Sequence, residues 1–127
     1  MSEILKNILL VGSGSFLGGA ARYAVSLLMK NMSKGFPWAT LAANLLGCLL
    51  IGMLWAFLGR STGANGSWTV FLMTGFCGGF TTFSTFSKEA LMMLQLGNYW
   101  NFAFYVALSV VAGIALVALG YSLFRVQ

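Results

Sequence analysis

GFCGGFTTFSTF, residues 75–86, places three glycines and a run of hydroxyl side chains inside an otherwise continuous apolar stretch. A glycine within a helix costs about 1 kcal/mol relative to alanine, and adjacent Thr81 and Thr82 offer the backbone competing side-chain hydrogen bonds. The composition predicts a helix broken at about residues 75–81, with regular winding resumed through Phe83 and Phe86. In hydrocarbon such a break is tolerated only when it is buried in protein or faces a wet cavity, because its freed carbonyls need partners. Carbonyl oxygens gathered at a break suit a small hard cation, so a bound alkali ion is expected there.

The interrupted stretch runs from about residue 68 to 96 and is one of four, the others covering 4–29, 37–59 and 99–124. Each is about as long as the ~20 residues a helix needs to cross a bilayer core. The chain is 59% hydrophobic and 7% charged, against about 25% charged residues in an ordinary globular domain. The fold class is therefore all-α integral membrane, a single four-helix domain over residues 1–127. The connections hold Lys30, Asn31, Ser33, Lys34, Gly35 and Pro37, then Arg60 to Ser67, then Gly97-Asn98. All are short, which makes neighbouring helices antiparallel. The first apolar stretch is interrupted by Gly12–Ser15 and runs on to Met29, so it does not read as a cleaved signal peptide.

Charge leaves the orientation almost undetermined. Lys6, Arg60 and Arg125 fall on one side of the membrane, Lys30 and Lys34 on the other, with Lys88 a third candidate there. Orientation follows the excess of Lys and Arg on the cytoplasmic face, and here that excess is one residue or none. Two readings are open: a small protein with few charges, or a chain inserted both ways that pairs head to tail. Four helices enclose little solvated path, which favours oligomerisation. The net charge of +5 is spread over loops and ends, so nucleic acid is not an expected partner.

There is no histidine, and the two acidic residues are Glu3 and Glu89. The chain thus lacks the acid/base inventory of a hydrolase and a His/Cys/carboxylate metal cluster, and an enzyme is not expected. Cys48 and Cys77 read as small packing residues, and Gly14-Ser-Phe-Leu-Gly18 as a close helix contact. Polar residues inside a membrane are costly and so are functional candidates. Thr40, Asn44 and Gly47 share a face of the second helix, Tyr105 and Ser109 stack on the fourth, and Phe83 and Phe86 adjoin a stripe of Thr82, Thr85 and Glu89. Arg22 lies within the first helix.

GGAARY at 18–23, WATLAANLLGCLLIG at 38–52, TGFCGGFTTFSTFSKE at 74–89, and Tyr105 with Ser109 resemble the Fluc (CrcB-type) fluoride channel family over essentially the whole chain. The resemblance implies an antiparallel, dual-topology homodimer in the bacterial inner membrane, with two fluoride pores and a structural Na+ on the twofold axis. It implies that backbone carbonyls of Gly78 and Thr81 from both protomers hold the Na+, that Phe83 and Phe86 line the pores, and that Asn44 points into them. Arg22 matches an arginine beside an aqueous vestibule, and Tyr105 and Ser109 match a polar track on the fourth helix. Some relatives carry a further serine where Gly113 stands here. Passive export of fluoride, and with it fluoride resistance, is the implied function.

The chemistry agrees with that implication. Fluoride is small and tightly hydrated, so a pore must offer donors such as the Asn44 amide and the Thr82, Thr85, Ser109 and Tyr105 hydroxyls. Phenyl edges carry partial positive charge and bind an anion weakly. Glu89 and Thr40 have no assigned role: a carboxylate near an anion path repels it unless it is protonated, paired with a cation or turned to other donors. The alternative is a proton-coupled exporter of the small multidrug-resistance type, which needs a carboxylate within its first helix. Arg22 is there instead, with Glu3 at the helix mouth.

Overall fold

The computed structural model describes residues 2–32, 35–61 and 66–125, without the side chains of 59–61. Ser33, Lys34, the Arg60 side chain and residues 62–65, which entered the loop and charge reading, lie outside the described residues. Helix α1 (Glu3–Leu28) is capped by Ser2, whose hydroxyl accepts from Leu5 N at 3.2 Å, and places Glu3 in its first turn beside the positive end of the helix dipole. Gly35, at φ +83°, turns the chain towards Pro37, whose carbonyl accepts the opening bond of α2 (Trp38–Ser61) from Leu41 N at 3.1 Å.

The third apolar stretch is wound in two pieces. Helix α3 is π-wound over Thr69–Cys77 and tightens to a single α turn over Gly78–Phe80. Thr81 and Thr82 are then extended, and α4 (Phe83–Gln95) follows. Its end is a Schellman turn: Gly97, at φ +79°, donates to Leu94 O, and Asn98 donates to Met93 O at 2.8 Å. Helix α5 (Tyr99–Phe124) completes the chain. Helices α1, α2 and α5 are each long and apolar enough to cross a membrane. Their outward faces carry large apolar side chains such as Phe16, Trp55, Phe57 and Ile114, which lipid solvates and water would not. The protein is a multi-pass membrane protein.

Gly75, Gly78 and Gly79 do not unwind the chain; residues 75–80 are helical and the interruption is confined to Thr81 and Thr82. Two of these glycines serve packing. A Cβ on Gly79 would sit 2.5 Å from Ser15 O, and one on Gly75 would sit 3.1 Å from Val11 O. Facing them, a Cβ on Gly14 would meet Phe71 O, and one on Gly18 would meet Phe76 O. Gly14/Gly18 on α1 and Gly75/Gly79 on α3 thus form matched small-residue pairs that let two backbones touch. Helices α2 and α5 use the same device, with Gly120 against Leu49 O and Gly52 against Val117 O.

Gly18→Val should therefore destabilise the protein by about 3 kcal/mol or more, since backbone rather than a movable side chain fills the space. Gly19, whose Cβ would have nothing within 4 Å, should accept alanine without loss. Thermal melting and gel filtration in detergent check both, and equal tolerance would contradict the packing described.

Candidate functional site

The site begins at the break. Two extended residues would leave their amide groups unpaired in the membrane, and Asn44 on α2 pairs with one of them in both directions. Its Nδ2 donates to Thr82 O at 3.1 Å, and its Oδ1 accepts from Thr82 N at 2.8 Å. The side-chain amide thus replaces the neighbouring strand that an extended backbone would otherwise need. One Nδ2 hydrogen remains for another acceptor.

Thr82 also starts α4, because its hydroxyl accepts from Thr85 N at 3.2 Å as an N-cap. Thr81 turns its hydroxyl back to Cys77 O at 2.9 Å, which its own backbone N–H also reaches. A regular α turn would have sent Thr82 N–H to Gly78 O. That donor goes to Asn44 instead, so the Gly78 carbonyl loses its helical partner. Gly78 faces open space and lines, with Asn44, Cys48, Thr81, Thr82 and Phe83, a cavity of about 430 Å³.

Beyond the break, Phe83 is 79% exposed on the protomer surface, and its ring centroid lies 5.8 Å from that of Phe86. Phe86 reaches inward to Tyr105, 5.0 Å away and fully buried. The rings form a line from the surface into the protein, made by the i, i+3 spacing on α4 and the close packing of α5.

Glu89 ends that line. Tyr105 donates its hydroxyl to Oε1 at 2.9 Å and Thr40 donates to Oε2 at 3.1 Å. Of the three ways a carboxylate could be tolerated near an anion path, the structure has the third: it is turned to other donors. Thr40 and Glu89 also line a second cavity of about 300 Å³ with Phe36, Pro37, Met92 and Asn98. Tyr105 was expected as a free donor, and here its proton is committed to Glu89. Ser109, one turn further along α5, has a buried hydroxyl with no hydrogen-bond partner among the described residues. Thr85 is half-buried on α4.

Arg22 is placed against α3, with Nε donating to Gly79 O at 3.3 Å. Ser15, on the same helix, donates to Gly75 O at 3.2 Å. These contacts tie α1 to carbonyls of the third crossing, where π winding and the nearby break disturb the regular ladder. Ser15 had not been singled out from sequence. The signal was the repeated spacing of Gly14/Gly18 and Gly75/Gly79, which points to two touching backbones and hence to any hydroxyl beside them. Gly113 is buried, and a Cβ there would lie 3.3 Å from Cys48 Sγ. The α2–α5 packing in this chain thus leaves little room for a serine at 113.

Asn44, Thr82 and Phe83 are therefore brought together at one cavity, and Phe86, Tyr105, Glu89 and Thr40 in a connected second group. Arg22 stands apart from both, on the α1 side of the break.

Known proteins resemble this chain over most of its length. The model of the family described as CrcB-like protein, Camphor Resistance (CrcB), matches residues 9–121. A protein of Azobacteroides pseudotrichonymphae named fluoride-specific ion channel FluC is 42% identical over 121 residues, 94% of this chain and 97% of the relative. A protein of that name in Leptospira interrogans serovar copenhageni is 44% identical over 116 residues, 91% of each chain. Another, in Prosthecochloris aestuarii, is 39% identical over 126 residues, covering 99% of this chain and 98% of its own. With three helices among the described residues apolar enough to cross a membrane and a family match over residues 9–121, the chain belongs to the CrcB-like, or Fluc, family of membrane proteins.

Proposed function

We propose that this protein is a fluoride channel that lets the anion leave the bacterial cytoplasm passively through the inner membrane and so confers fluoride resistance. The observation that carries the reading is the line formed by Asn44, Phe83 and Phe86: an amide with an uncommitted hydrogen, followed by two neighbouring rings, the outer one exposed. Hydrogen fluoride enters a cell uncharged and leaves fluoride inside, and a negative interior then drives the anion out without coupled energy.

The working unit is an antiparallel homodimer with two pores. The exposure of Phe83 supports this, since a ring that lines a path needs a second wall, and a second copy of the chain supplies one. Fluoride approaches past Arg22, whose charge raises the local potential for an anion. It exchanges water for the remaining Asn44 hydrogen and the Thr85 and Ser109 hydroxyls, and meets the Phe83 and Phe86 ring edges between them. Tyr105 and Thr40 hold the Glu89 carboxylate in place, which keeps its charge from turning into the path. Weak, repeated sites favour throughput over tight binding.

The residues present fit a structural Na+. The Gly78 carbonyl is released from the helix by the diversion of Thr82 N–H to Asn44, and carbonyl oxygens are the ligands a hard cation prefers. Gly78 and Thr81 carbonyls from two protomers would hold it. When bound, it supplies a fixed positive charge between the pores.

The exporter alternative is not favoured, because the one carboxylate among the described crossings beyond Glu3 is Glu89, already engaged by two hydroxyls. Proteoliposomes loaded with fluoride and clamped with valinomycin test the reading with an ion-selective electrode. Efflux should follow the potassium gradient and be indifferent to a pH gradient. Efflux that requires a proton gradient would establish an exchanger instead, and its absence would refute the channel.

A further inference from the structure

The second cavity, of about 300 Å³, lies where three helices meet: α2 begins at it, α4 ends at it, and Asn98, which opens α5, lines it. Its walls are mainly apolar, from Phe36, Pro37, Met92, Met93 and Leu96. The Phe36 ring is fixed by three others, with centroids of Trp38 at 4.5 Å, Tyr105 at 5.4 Å and Phe104 at 5.7 Å. Set in these walls is the Glu89 carboxylate. It takes one hydroxyl at each oxygen, from Tyr105 and Thr40, which leaves about half of its roughly four acceptor positions open. No lysine or arginine lines the cavity, and the one salt bridge among the described residues, Lys6 to Glu3, is elsewhere. Asn98 adds a second acceptor. It stands at the N-cap of α5, where an asparagine oxygen normally accepts from the helix, yet its side chain makes no capping bond.

The chemistry of the walls selects the ligand. A carboxylate repels an anion, and a neutral molecule offers it no opposite charge. A bare alkali ion would exchange most of its water for methionine and phenylalanine, which cannot replace it. An ion with a charged N–H group at one end and an apolar group at the other satisfies both parts: the first donates a charge-assisted hydrogen bond to Glu89, and the second packs against Phe36, Met92 and Leu96. Small-molecule sites span about 300–1,000 Å³, so the ligand is small.

We propose that this cavity is a binding site for small organic ammonium ions, with Glu89 as the charged partner and Asn98 as a second acceptor. The assignment concerns binding and not flux, so it stands apart from the channel reading above.

The test uses the full-length protein in a nonionic detergent, its methionine methyls isotope-labelled, in an NMR titration with benzylammonium. The Met92 and Met93 signals should shift saturably, with a Kd below about 1 mM, while Met73, which lines the other cavity, should not. Benzyl alcohol, of the same shape without the charge, and benzoate, of the opposite charge, should each bind about tenfold more weakly or worse. Glu89→Gln should weaken benzylammonium by about tenfold or more, and Asn98→Ala by about threefold. If the Glu89 variant does not assemble, Met92→Trp decides: it puts a larger side chain into the cavity and leaves the Glu89 hydrogen bonds in place, and the Met93 response should weaken by about tenfold. Shifts that do not saturate, equal affinity for benzylammonium and benzyl alcohol, tighter binding of benzoate, or affinity unchanged in these variants overturns the assignment.

Discussion

Asn44→Asp should abolish fluoride flux at neutral pH. The substitution keeps the side-chain oxygen that accepts from Thr82 N but removes the Nδ2 that donates to Thr82 O. A carboxylate oxygen then faces a carbonyl oxygen at the break, and a buried acceptor left unpaired costs about 1–3 kcal/mol. The added charge matters more. Two like charges roughly 4 Å apart at an effective dielectric of ~20 repel by about 4 kcal/mol, which slows passage of an anion by about a thousandfold. Electrode-monitored efflux from liposomes measures this, with gel filtration to show that the variant still assembles. Wild-type flux in the aspartate variant would mean that Asn44 serves only the backbone of the break.

Phe83→Ile and Phe86→Ile should each reduce flux by about tenfold or more, equivalent to ~1.4 kcal/mol at the barrier. Isoleucine keeps apolar volume and loses the electropositive ring edge. The two differ in what else they disturb. Phe83 is 79% exposed and contributes little packing within the protomer, so its variant should keep full thermal stability. Phe86 touches Tyr105 and belongs to the cluster around Leu41, Ala90 and Met93, so its variant should also lose about 1–2 kcal/mol of stability. Undiminished flux in both variants would remove the rings from the path.

Much of the fold was legible because hydrophobic length is a strong signal in membrane chains. The start of α1 follows from Ser2, that of α2 from Pro37 and the end of α4 from Gly97, each with a local backbone reason. The glycines at 75–79 were harder. Read alone, they looked like an unwound segment; in the structure Gly75 and Gly79 are contact surfaces whose partners, Gly14 and Gly18, lie some sixty residues earlier. Local propensity reports the weakness of a glycine-rich helix but not the backbone that compensates for it. Thr81 and Thr82 were the better indicators of the break, since their side chains compete with the helical ladder.

The site was legible residue by residue and less so as a network. Spacing put Thr40 and Asn44 on one face of α2, but it could not show that Asn44 closes the break while Thr40, one turn away, meets Glu89. Nor could it show that Tyr105 spends its proton on Glu89. Both facts depend on how far α4 is offset by the two extended residues, a displacement that helical periodicity does not carry.

The most direct measurement of the central claim is the current through the purified protein in a planar bilayer under a fluoride gradient. The account predicts a passive current that reverses at the fluoride equilibrium potential and does not move when a pH gradient is imposed. A current that reverses at the potential of another ion, or a bilayer that stays silent while the protein is folded and inserted, would contradict it.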